Sequence, residues 1–264
     1  MLTAVTVMIG LAAFFAAILA LANQRFKTEE DPKVEELARE LPGLNCGACG
    51  FPSCREFAKA LVGGDEEAAH STCRAASPRA LDIILKIAPT ADKASGKTAV
   101  VFCGARDKDK TKKAVYKGIA TCRSANIVSD GGMSCRYGCL GFGDCERACP
   151  FGAVRMVRGL PEIDRDKCTG CGKCVSACPR GIIELMPRDT GDLAIPACRS
   201  EDKGVFVRKI CPVGCIACRL CERLSGGVFF VENNLAKLDM SRLEEKINWD
   251  EIINKCPTRT IVRV

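Results

Sequence analysis

Cysteines spaced for iron–sulfur chemistry dominate residues 135–178. One run places three cysteines at intervals of three and a fourth directly before a proline: Cys168, Cys171, Cys174 and Cys178. This spacing binds a [4Fe–4S] cluster through the first three thiolates, and the fourth reaches a second cluster. Cys149 also precedes a proline, so it is the expected fourth ligand of the first cluster. Zinc fits poorly, because a tetrahedral zinc ion needs four ligands and no such crossover.

The partner cluster is one thiolate short within its own run. Cys139, Cys145 and Cys178 supply three ligands, but Phe142 occupies the middle position of the C-x2-C-x2-C spacing. Cys135, about one turn upstream, is the predicted substitute. Residues 135–178 therefore predict two clusters.

A third cluster is predicted in a loop rich in Gly and Pro near the N-terminus. Its candidate ligands are Cys46, Cys49, Cys54 and Cys73. Glycines let a backbone wrap closely around a cluster and point N–H groups at its sulfurs. Zinc remains the alternative metal for this set. His70, the only histidine, lies on a polar stretch and is predicted to be a surface residue.

An internal repeat relates the two halves of the cysteine-rich region. A shift of 76 residues carries Cys122, Cys135, Cys139, Phe142, Cys145 and Cys149 onto Cys198, Cys211, Cys215, Cys218, Cys221 and Ser225. The second copy thus has a complete run, and Cys256 before Pro257 is the predicted fourth ligand. Its other cluster is missing, because no further run precedes Cys256 and position 225 is serine. A helix over residues 239–250 is expected in its place.

Four cysteines remain after these assignments: Cys103, Cys122, Cys198 and Cys211. They form a fifth cluster if the fold brings them together, and otherwise they are free buried thiols. The expected cofactors are therefore three [4Fe–4S] clusters in the first two cysteine regions, a fourth in the second copy, and a fifth that depends on the fold.

The composition excludes two other interpretations. The chain has 20 cysteines in 264 residues, but disulfide frameworks belong to short secreted proteins, so a reducing compartment is favoured. The formal charge of +7 treats every thiol as neutral. A [4Fe–4S] core with four thiolates carries about −2, so five clusters would make the protein mildly negative. The positive charge is therefore no sign of nucleic-acid binding.

The N-terminal stretch from Leu2 to Ala22 contains 21 residues without a charge, enough to span a bilayer. A cleaved signal peptide is the alternative, but no Lys or Arg precedes the apolar run, and the run is longer than a signal peptide requires. Arg25 and Lys27 follow it, so the positive-inside rule places the bulk of the chain in the cytoplasm. We expect a single-pass protein of the cytoplasmic (inner) membrane.

The predicted fold class is α+β, with four parts. Residues 1–24 form a transmembrane anchor, and residues 25–89 a small helical [4Fe–4S] domain with helices after Asp31-Pro32 and Ser77-Pro78. After a linker at 90–97, residues 98–190 form a ferredoxin-like unit with two clusters. Residues 191–264 form a degenerate second unit with one, so the ferredoxin-like domains (bacterial 2[4Fe–4S] type) stand in tandem.

A run of basic residues follows Cys103. It contains Arg106, Lys108, Lys110, Lys112, Lys113 and Lys117, interrupted by two aspartates. Such a run is usually a solvated loop. The functional alternative is a docking surface for an acidic electron carrier, because complementary charge raises the encounter rate.

Together these features resemble a known family over nearly the whole chain. The N-terminal span, the LNCGACGFPSC motif with its later Cys73, and the tandem runs are similar to the B subunit of the Rnf (Rsx) ion-translocating ferredoxin:NAD oxidoreductases. The C-terminal half is similar to the longer, cluster-rich versions of this subunit. It departs from them by the cluster lost around Ser225.

The resemblance implies a membrane complex, a translocase that passes electrons between ferredoxin and NAD⁺ and couples their flow to Na⁺ or H⁺ movement. This subunit would receive electrons and relay them, while flavins and the NAD site would lie on other subunits. The sequence agrees, since it contains neither G-x-G-x-x-G nor a P-loop, and it presents no catalytic site of its own. The competing interpretation is a membrane-anchored polyferredoxin that serves a hydrogenase or another oxidoreductase.

Overall fold

The computed structural model describes residues 2–25, 31–69, 71, 73, 75–89, 96–188, 193–243 and 247–264. Most of the linker predicted at 90–97, and His70, lie outside the described residues. The described elements mix helices with short strands, as the α+β prediction requires.

The first helix, α1 (Leu2–Arg25), is apolar and does not pack against the rest of the chain. Its segment Val5–Asn23 has a mean hydropathy of 2.6, and none of it is buried within the protein. At 1.5 Å per residue, its 19 residues extend about 28 Å, close to the thickness of a bilayer core. This helix is therefore a candidate membrane span by length and composition, properties that a signal sequence shares.

Four helices follow: α2 (Pro32–Glu40), α3 (Cys54–Val62), α4 (Glu66–Ala69) and α5 (Pro78–Ile87). The two predicted N-caps form, because Asp31 accepts a hydrogen bond from the backbone of Lys33 at 2.9 Å and Ser77 accepts one from Ala80 at 3.1 Å. The helices share a small apolar core that includes Val34, Leu37, Phe57, Leu61 and Ile84. This core supports the cysteine loop at residues 46–54.

The next unit contains β1 (Lys97–Val101), α6 (Cys122–Ile127), α7 (Asp144–Arg147), β2 (Val154–Val157), β3 (Leu160–Ile163), α8 (Lys173–Ala177) and β4 (Ile183–Pro187). Strands β1 and β4 pair antiparallel, with Val101 opposite Ile183. Strands β2 and β3 form a hairpin whose two turn residues, Arg158 and Gly159, both have positive φ, as a tight type I′ turn requires. The cysteine loops precede α7 and α8.

The last unit contains β5 (Ala194–Pro196), α9 (Gly204–Ile210), α10 (Leu220–Leu224), β6 (Phe229–Glu232), β7 (Leu235–Leu238), α11 (Trp249–Lys255) and β8 (Ile261–Arg263). Its outer strands β5 and β8 pair antiparallel, and β6 and β7 form a hairpin through Asn233 and Asn234, again with positive φ. The outer strand pair, the inner hairpin and the helix before that hairpin thus recur in the order seen from β1 to β4.

The prediction of a helix over residues 239–250 is wrong. Strand β7 ends at Leu238, a short 3₁₀ turn covers Met240–Arg242, and residues 244–246 lie outside the described part. The helix begins only at Trp249, where the side chain of Asn248 caps it by accepting from the backbone of Glu251 at 3.2 Å. Helix α11 therefore occupies the place of α8 in the preceding unit, and only the cysteine loop before it has been lost.

Candidate iron–sulfur centres

All 20 cysteines are free thiols, and none forms a disulfide. The fold gathers them into five groups of four. We name each group by its position: the N-terminal group, the outer group, the inner group, the junction group and the C-terminal group. The groups are defined below.

The N-terminal group contains Cys46, Cys49, Cys54 and Cys73, which line one cavity beside Leu41 and Phe57. Asn45 orders the loop, because its side-chain oxygen accepts a hydrogen bond from the backbone N–H of Cys54 at 2.9 Å. The pKa of Cys73 is raised to about 11, first by burial and to a smaller extent by the three neighbouring thiols. These are the four cysteines that the sequence placed together.

The outer group contains Cys149, Cys168, Cys171 and Cys174. Burial raises the pKa of Cys174 to about 11, and the other three thiols each add to that rise. The backbone N–H of Ala99 in β1 donates to the sulfur of Cys168 at 3.4 Å. Gly170 lets this strand approach the loop, because a Cβ at that position would lie 2.3 Å from the carbonyl oxygen of Lys97. Cys149 therefore lies with the three cysteines of the run Cys168–Cys174, as the sequence predicted.

The inner group differs from the predicted one by a single cysteine. One cavity is lined by Cys122, Cys139, Cys145 and Cys178, with Cys122 in the place predicted for Cys135. The pKa of Cys145 is raised to about 12, first by burial and then by Cys122 and Cys178. The sequence-based choice of Cys135 is thus corrected in favour of Cys122.

Tertiary contacts explain the position of Cys122. It is the first residue of α6, and the backbone N–H of the next residue, Arg123, donates to the carboxylate of Asp144 in α7 at 3.0 Å. Phe142, which replaces the missing cysteine of the run, packs against Tyr116 with ring centroids 5.6 Å apart. The segment before Cys135 is therefore folded back onto the cysteine loop, and Cys122 lies beside the other three thiols of the inner group.

The C-terminal group contains Cys215, Cys218, Cys221 and Cys256, which line one cavity. Burial and neighbouring thiols raise the pKa of Cys221 to about 12. Ser225, the counterpart of Cys149, makes a structural hydrogen bond. Its hydroxyl oxygen accepts from the backbone N–H of Phe229 at 2.8 Å. It closes the turn between α10 and β6.

The junction group contains the remaining cysteines: Cys103, Cys135, Cys198 and Cys211. All four line a single cavity, together with Cys139 of the inner group. The four leftover cysteines expected from the sequence included Cys122, and the structure replaces it with Cys135. The structure also corrects the match of Cys122 to Cys198, since Cys122 begins a helix whereas Cys198 follows strand β5.

The cysteine groups suit an iron–sulfur core better than one metal ion. Among the described residues, no three Cys, His, Asp or Glu side chains lie close enough together to hold a single ion. Tetrahedral zinc with Zn–S bonds of about 2.3 Å would need its sulfurs within about 4 Å of one another. Thiols set more widely around a cavity fit a larger inorganic core. Burial raises the pKa values of Cys73, Cys145 and Cys221, so iron binding there would release protons and stabilise the fold.

The sequence did not predict that two cationic residues are buried near the thiols. Lys110 looks like part of a solvated loop, but its side chain is only 4% exposed and its Nζ donates to the carbonyl of Gly159. Burial raises the pKa of Cys139 to about 12, and the charge of Lys110 partly opposes that rise. Arg180 is 5% exposed and pairs with Asp130 at 3.3 Å. Its Nε and Nη1 find no hydrogen-bond partner among the described residues, and it lies near the thiols of Cys135 and Cys178. The signal in the sequence was the position of Arg180, two residues after the predicted ligand Cys178.

Two family models match parts of the chain. One, described as a putative Fe-S cluster, matches residues 41–74, and the other, described as a 4Fe-4S binding domain, matches residues 160–183. The first match covers the N-terminal group, and the second covers three cysteines of the outer group together with Cys178.

Curated relatives match over almost the full length. The B subunit of the Na(+)-translocating ferredoxin:NAD(+) oxidoreductase complex of Acetobacterium woodii is 38% identical, over 99% of this chain and 78% of the relative. The B subunit of the proton-translocating ferredoxin:NAD(+) oxidoreductase complex of Clostridium ljungdahlii is 39% identical, over 99% and 91%. The B subunit of the ion-translocating oxidoreductase complex of Methanosarcina acetivorans is 33% identical, over 92% and 91%. The chain therefore belongs to the family of B subunits of Rnf-type ion-translocating ferredoxin:NAD(+) oxidoreductase complexes.

Proposed function

We propose that this chain is the iron–sulfur subunit that receives electrons and relays them in a membrane complex acting between reduced ferredoxin and NAD⁺. The complex couples that transfer to Na⁺ or H⁺ translocation. The observation that carries the proposal is the interlocking of the outer and inner groups, in which each run of cysteines contributes one thiol to the other's group. The family membership of the chain supports the same function.

The two α/β units are proposed to be tandem ferredoxin-like domains. The support is the recurring order of elements, with antiparallel outer strands, an inner hairpin and cysteine loops that open short helices. Each of the five groups is proposed to bind one [4Fe–4S] cluster, and the junction group lies between the inner and C-terminal groups. When bound, the clusters supply one-electron chemistry, and the protein sets their potentials through burial, backbone N–H donors and nearby charge.

The outer and inner groups differ in the backbone N–H donors and charged side chains around them. The outer group accepts a backbone N–H from Ala99, whereas the inner group lies beside two buried cations, Lys110 and Arg180. A nearby positive charge favours the more negative, reduced form of a cluster. The inner cluster is therefore expected to have a higher potential than the outer one.

Helix α1 is proposed to be a retained single-pass anchor in the inner membrane, with the cysteine-rich units in the cytoplasm. Its apolar side chains are exposed to the surroundings, including Met8, Phe14 and Leu19. Arg25 at its C-terminal end supports this orientation. The helix places the relay next to the other membrane subunits.

Fewer residues of the basic run are available for docking than the sequence suggested. Arg106 pairs with Glu162 at 2.7 Å, Lys113 pairs with Asp130 at 3.3 Å, and Lys110 is buried. Among the described residues, the exposed lysines of this run without an ion pair are Lys108, Lys112 and Lys117. We propose that these three attract an acidic ferredoxin.

The function is tested by purifying the full-length chain anaerobically from its own membranes. We expect flavin-bearing membrane subunits to co-purify and reduced ferredoxin to bleach the iron–sulfur absorbance. A chain that purifies alone and donates electrons to a hydrogenase would instead identify a free-standing polyferredoxin and refute the proposal.

A further inference from the structure

We infer that an exposed apolar patch beside the inner group is the docking site of an acidic electron-carrier protein of the ferredoxin class. This assignment rests on the proposed function, in which reduced ferredoxin supplies the electrons, and it names the surface that the carrier contacts. The apolar patch consists of four side chains: Val115, Ile119, Ile127 and Val128.

The side chains of the apolar patch are among the most exposed in the protein. Apart from helix α1, six large apolar side chains of the described residues are more than half exposed. Four of them form the apolar patch, with exposed fractions from 55% for Val128 to 80% for Ile127. The other two are Val205 and Phe206 on α9. Single exposed apolar residues are ordinary, whereas a cluster of them marks an interaction site.

The apolar patch lies on an insertion in the first α/β unit. Cys103 follows β1 by two residues, as Cys198 follows β5. Cys135 follows Cys103 by 32 positions, whereas Cys211, its counterpart in the repeat, follows Cys198 by only 13. The second unit forms the same outer strand pair and inner hairpin without the extra residues. Cys122 gives the insertion one role, but it does not explain four exposed apolar side chains.

Hydrogen bonds and packing hold the insertion against the inner group. The backbone N–H of Ser134 donates to the carbonyl of Thr111 at 2.9 Å, which closes the insertion at its base. Tyr116 packs inward on the small core around Cys122, and its hydroxyl donates to the carbonyl of Ile119 at 3.1 Å. The apolar patch is therefore a fixed surface, and Ile119 precedes the thiol of Cys122 by only three residues.

The charges around the apolar patch are positive. Between Asp109 and Asp130 the sequence contains five basic residues and no acidic one. Lys110 is buried, and Lys113 pairs with Asp130 at 3.3 Å. The other three are exposed and have no ion pair among the described residues: Lys112, Lys117 and Arg123. An apolar centre bordered by cations fits a carrier whose contact surface is apolar at the centre and bordered by carboxylates.

The composition and position of the apolar patch favour a protein partner over a lipid surface. Segments that lie in a membrane interface present Trp, Phe or Leu to the lipid. The only aromatic residue of the insertion, Tyr116, instead packs inward on Phe142 with ring centroids 5.6 Å apart. A carrier on the patch stands beside the inner group. One electron then passes from the carrier, which is oxidised, to the cluster of that group, which is reduced, and no bond forms or breaks.

The test follows reduction of the full-length protein by reduced ferredoxin in stopped flow. Ile119→Ser/Ile127→Ser should raise the ferredoxin concentration for half the limiting rate about tenfold and leave the limiting rate unchanged, because the complex loses apolar contacts. The effect should persist at about 0.1 M salt, where the attraction by lysines is largely screened. The matched control is Val205→Ser/Phe206→Ser, which changes the other exposed apolar pair and should bind ferredoxin as the parent does. Both variants change exposed side chains, so both should keep their iron and their stability.

A second measurement detects the contact without electron transfer. Amide hydrogen exchange of the full-length protein should slow in residues 111–129 when oxidised ferredoxin is added, and the Ile119→Ser/Ile127→Ser variant should need more ferredoxin for the same protection. Reconstitution into phosphatidylglycerol vesicles should leave exchange in these residues as it is in detergent. Protection by the vesicles alone would identify a surface that faces lipid and would overturn the inference.

The docking site and the proposed function fail in different ways. If ferredoxin reduces the parent and the Ile119→Ser/Ile127→Ser variant at the same half-saturating concentration, the function stands and the docking site is overturned. An equal loss in the control variant on α9 would also overturn the docking site. If ferredoxin does not reduce the iron-loaded parent at all, the proposed function itself is refuted.

Discussion

Pairs of cysteine substitutions distinguish the inner group from the junction group. Two cysteines that bind the same cluster lose it once, whereas two that bind different clusters lose both. In the structure, Cys122 and Cys145 share the inner cavity, while Cys135 lines the junction cavity. Starting from about twenty irons, Cys122→Ala/Cys145→Ala should therefore retain about sixteen, and Cys135→Ala/Cys145→Ala about twelve. Cys139 is unsuited to this test because it lines both cavities.

The assay is colorimetric iron and protein analysis on anaerobically purified chains, with electron paramagnetic resonance of the reduced samples. Single variants provide the baseline for additivity, as in a double-mutant cycle. The sequence-based grouping makes the opposite prediction, about sixteen irons for Cys135→Ala/Cys145→Ala and about twelve for Cys122→Ala/Cys145→Ala. That reversed pattern would refute the grouping seen in the structure.

Three further predictions concern residues outside the thiols. Removing residues 1–23 should give a soluble protein with unchanged iron that no longer joins the complex, checked by ultracentrifugation after a salt wash; membrane-bound or iron-poor protein would contradict it. Ser225→Ala should keep all its iron but lose about 1–3 kcal/mol of unfolding free energy in urea titration, because the buried N–H of Phe229 loses its acceptor; lost iron would make Ser225 a ligand. Arg180→Gln should lower the potential of a neighbouring cluster by on the order of 50–100 mV, which corresponds to the Coulomb energy of two unit charges separated by roughly 8 Å at an effective dielectric constant of 20. Redox titration measures this shift, and Arg136→Gln, which removes an exposed charge, should shift it far less.

The exposed lysines of the basic run give a fourth prediction. Changing them to Gln should slow reduction by ferredoxin at low salt and leave iron unchanged, and 0.1 M salt should hide much of the effect, since screening acts over about 10 Å. Stopped-flow reduction at two salt concentrations measures this, and an equal rate at low salt would exclude them as a docking site. The lysines are Lys108, Lys112 and Lys117.

The parts of the fold that depend on local spacing could be predicted from the sequence. The run Cys168–Cys174 occupies one loop and the first turn of α8, so its three thiols lie close together. The two helix starts follow from the caps at Asp31 and Ser77. The grouping of Cys122 could not be predicted, because it depends on the contact of Arg123 with Asp144 and on how residues 105–134 fold back. Spacing favoured Cys135 only because it is nearer in sequence.

The burial of charged side chains could not be predicted from the sequence either. Lys110 stands among lysines that are exposed, and nothing in its neighbours distinguishes it. Its position is fixed by the carbonyl of Gly159, which belongs to a hairpin turn 49 residues away. The repeat likewise matched Cys122 to Cys198 by number, whereas their places relative to the strands show that Cys103 is the true counterpart of Cys198.

The serine at position 225 has a consequence for the route that electrons take. A second cluster in the C-terminal unit would have given the proposed path a branch there, with two clusters that could each accept the electron. Without that branch, the C-terminal unit ends the proposed path at a single group, the one that contains Cys218. Cys218 is the one exposed thiol among the 20 cysteines, all of which the structure describes. The loss of a cluster thus leaves the C-terminal end of the path at the surface, where a partner can make contact.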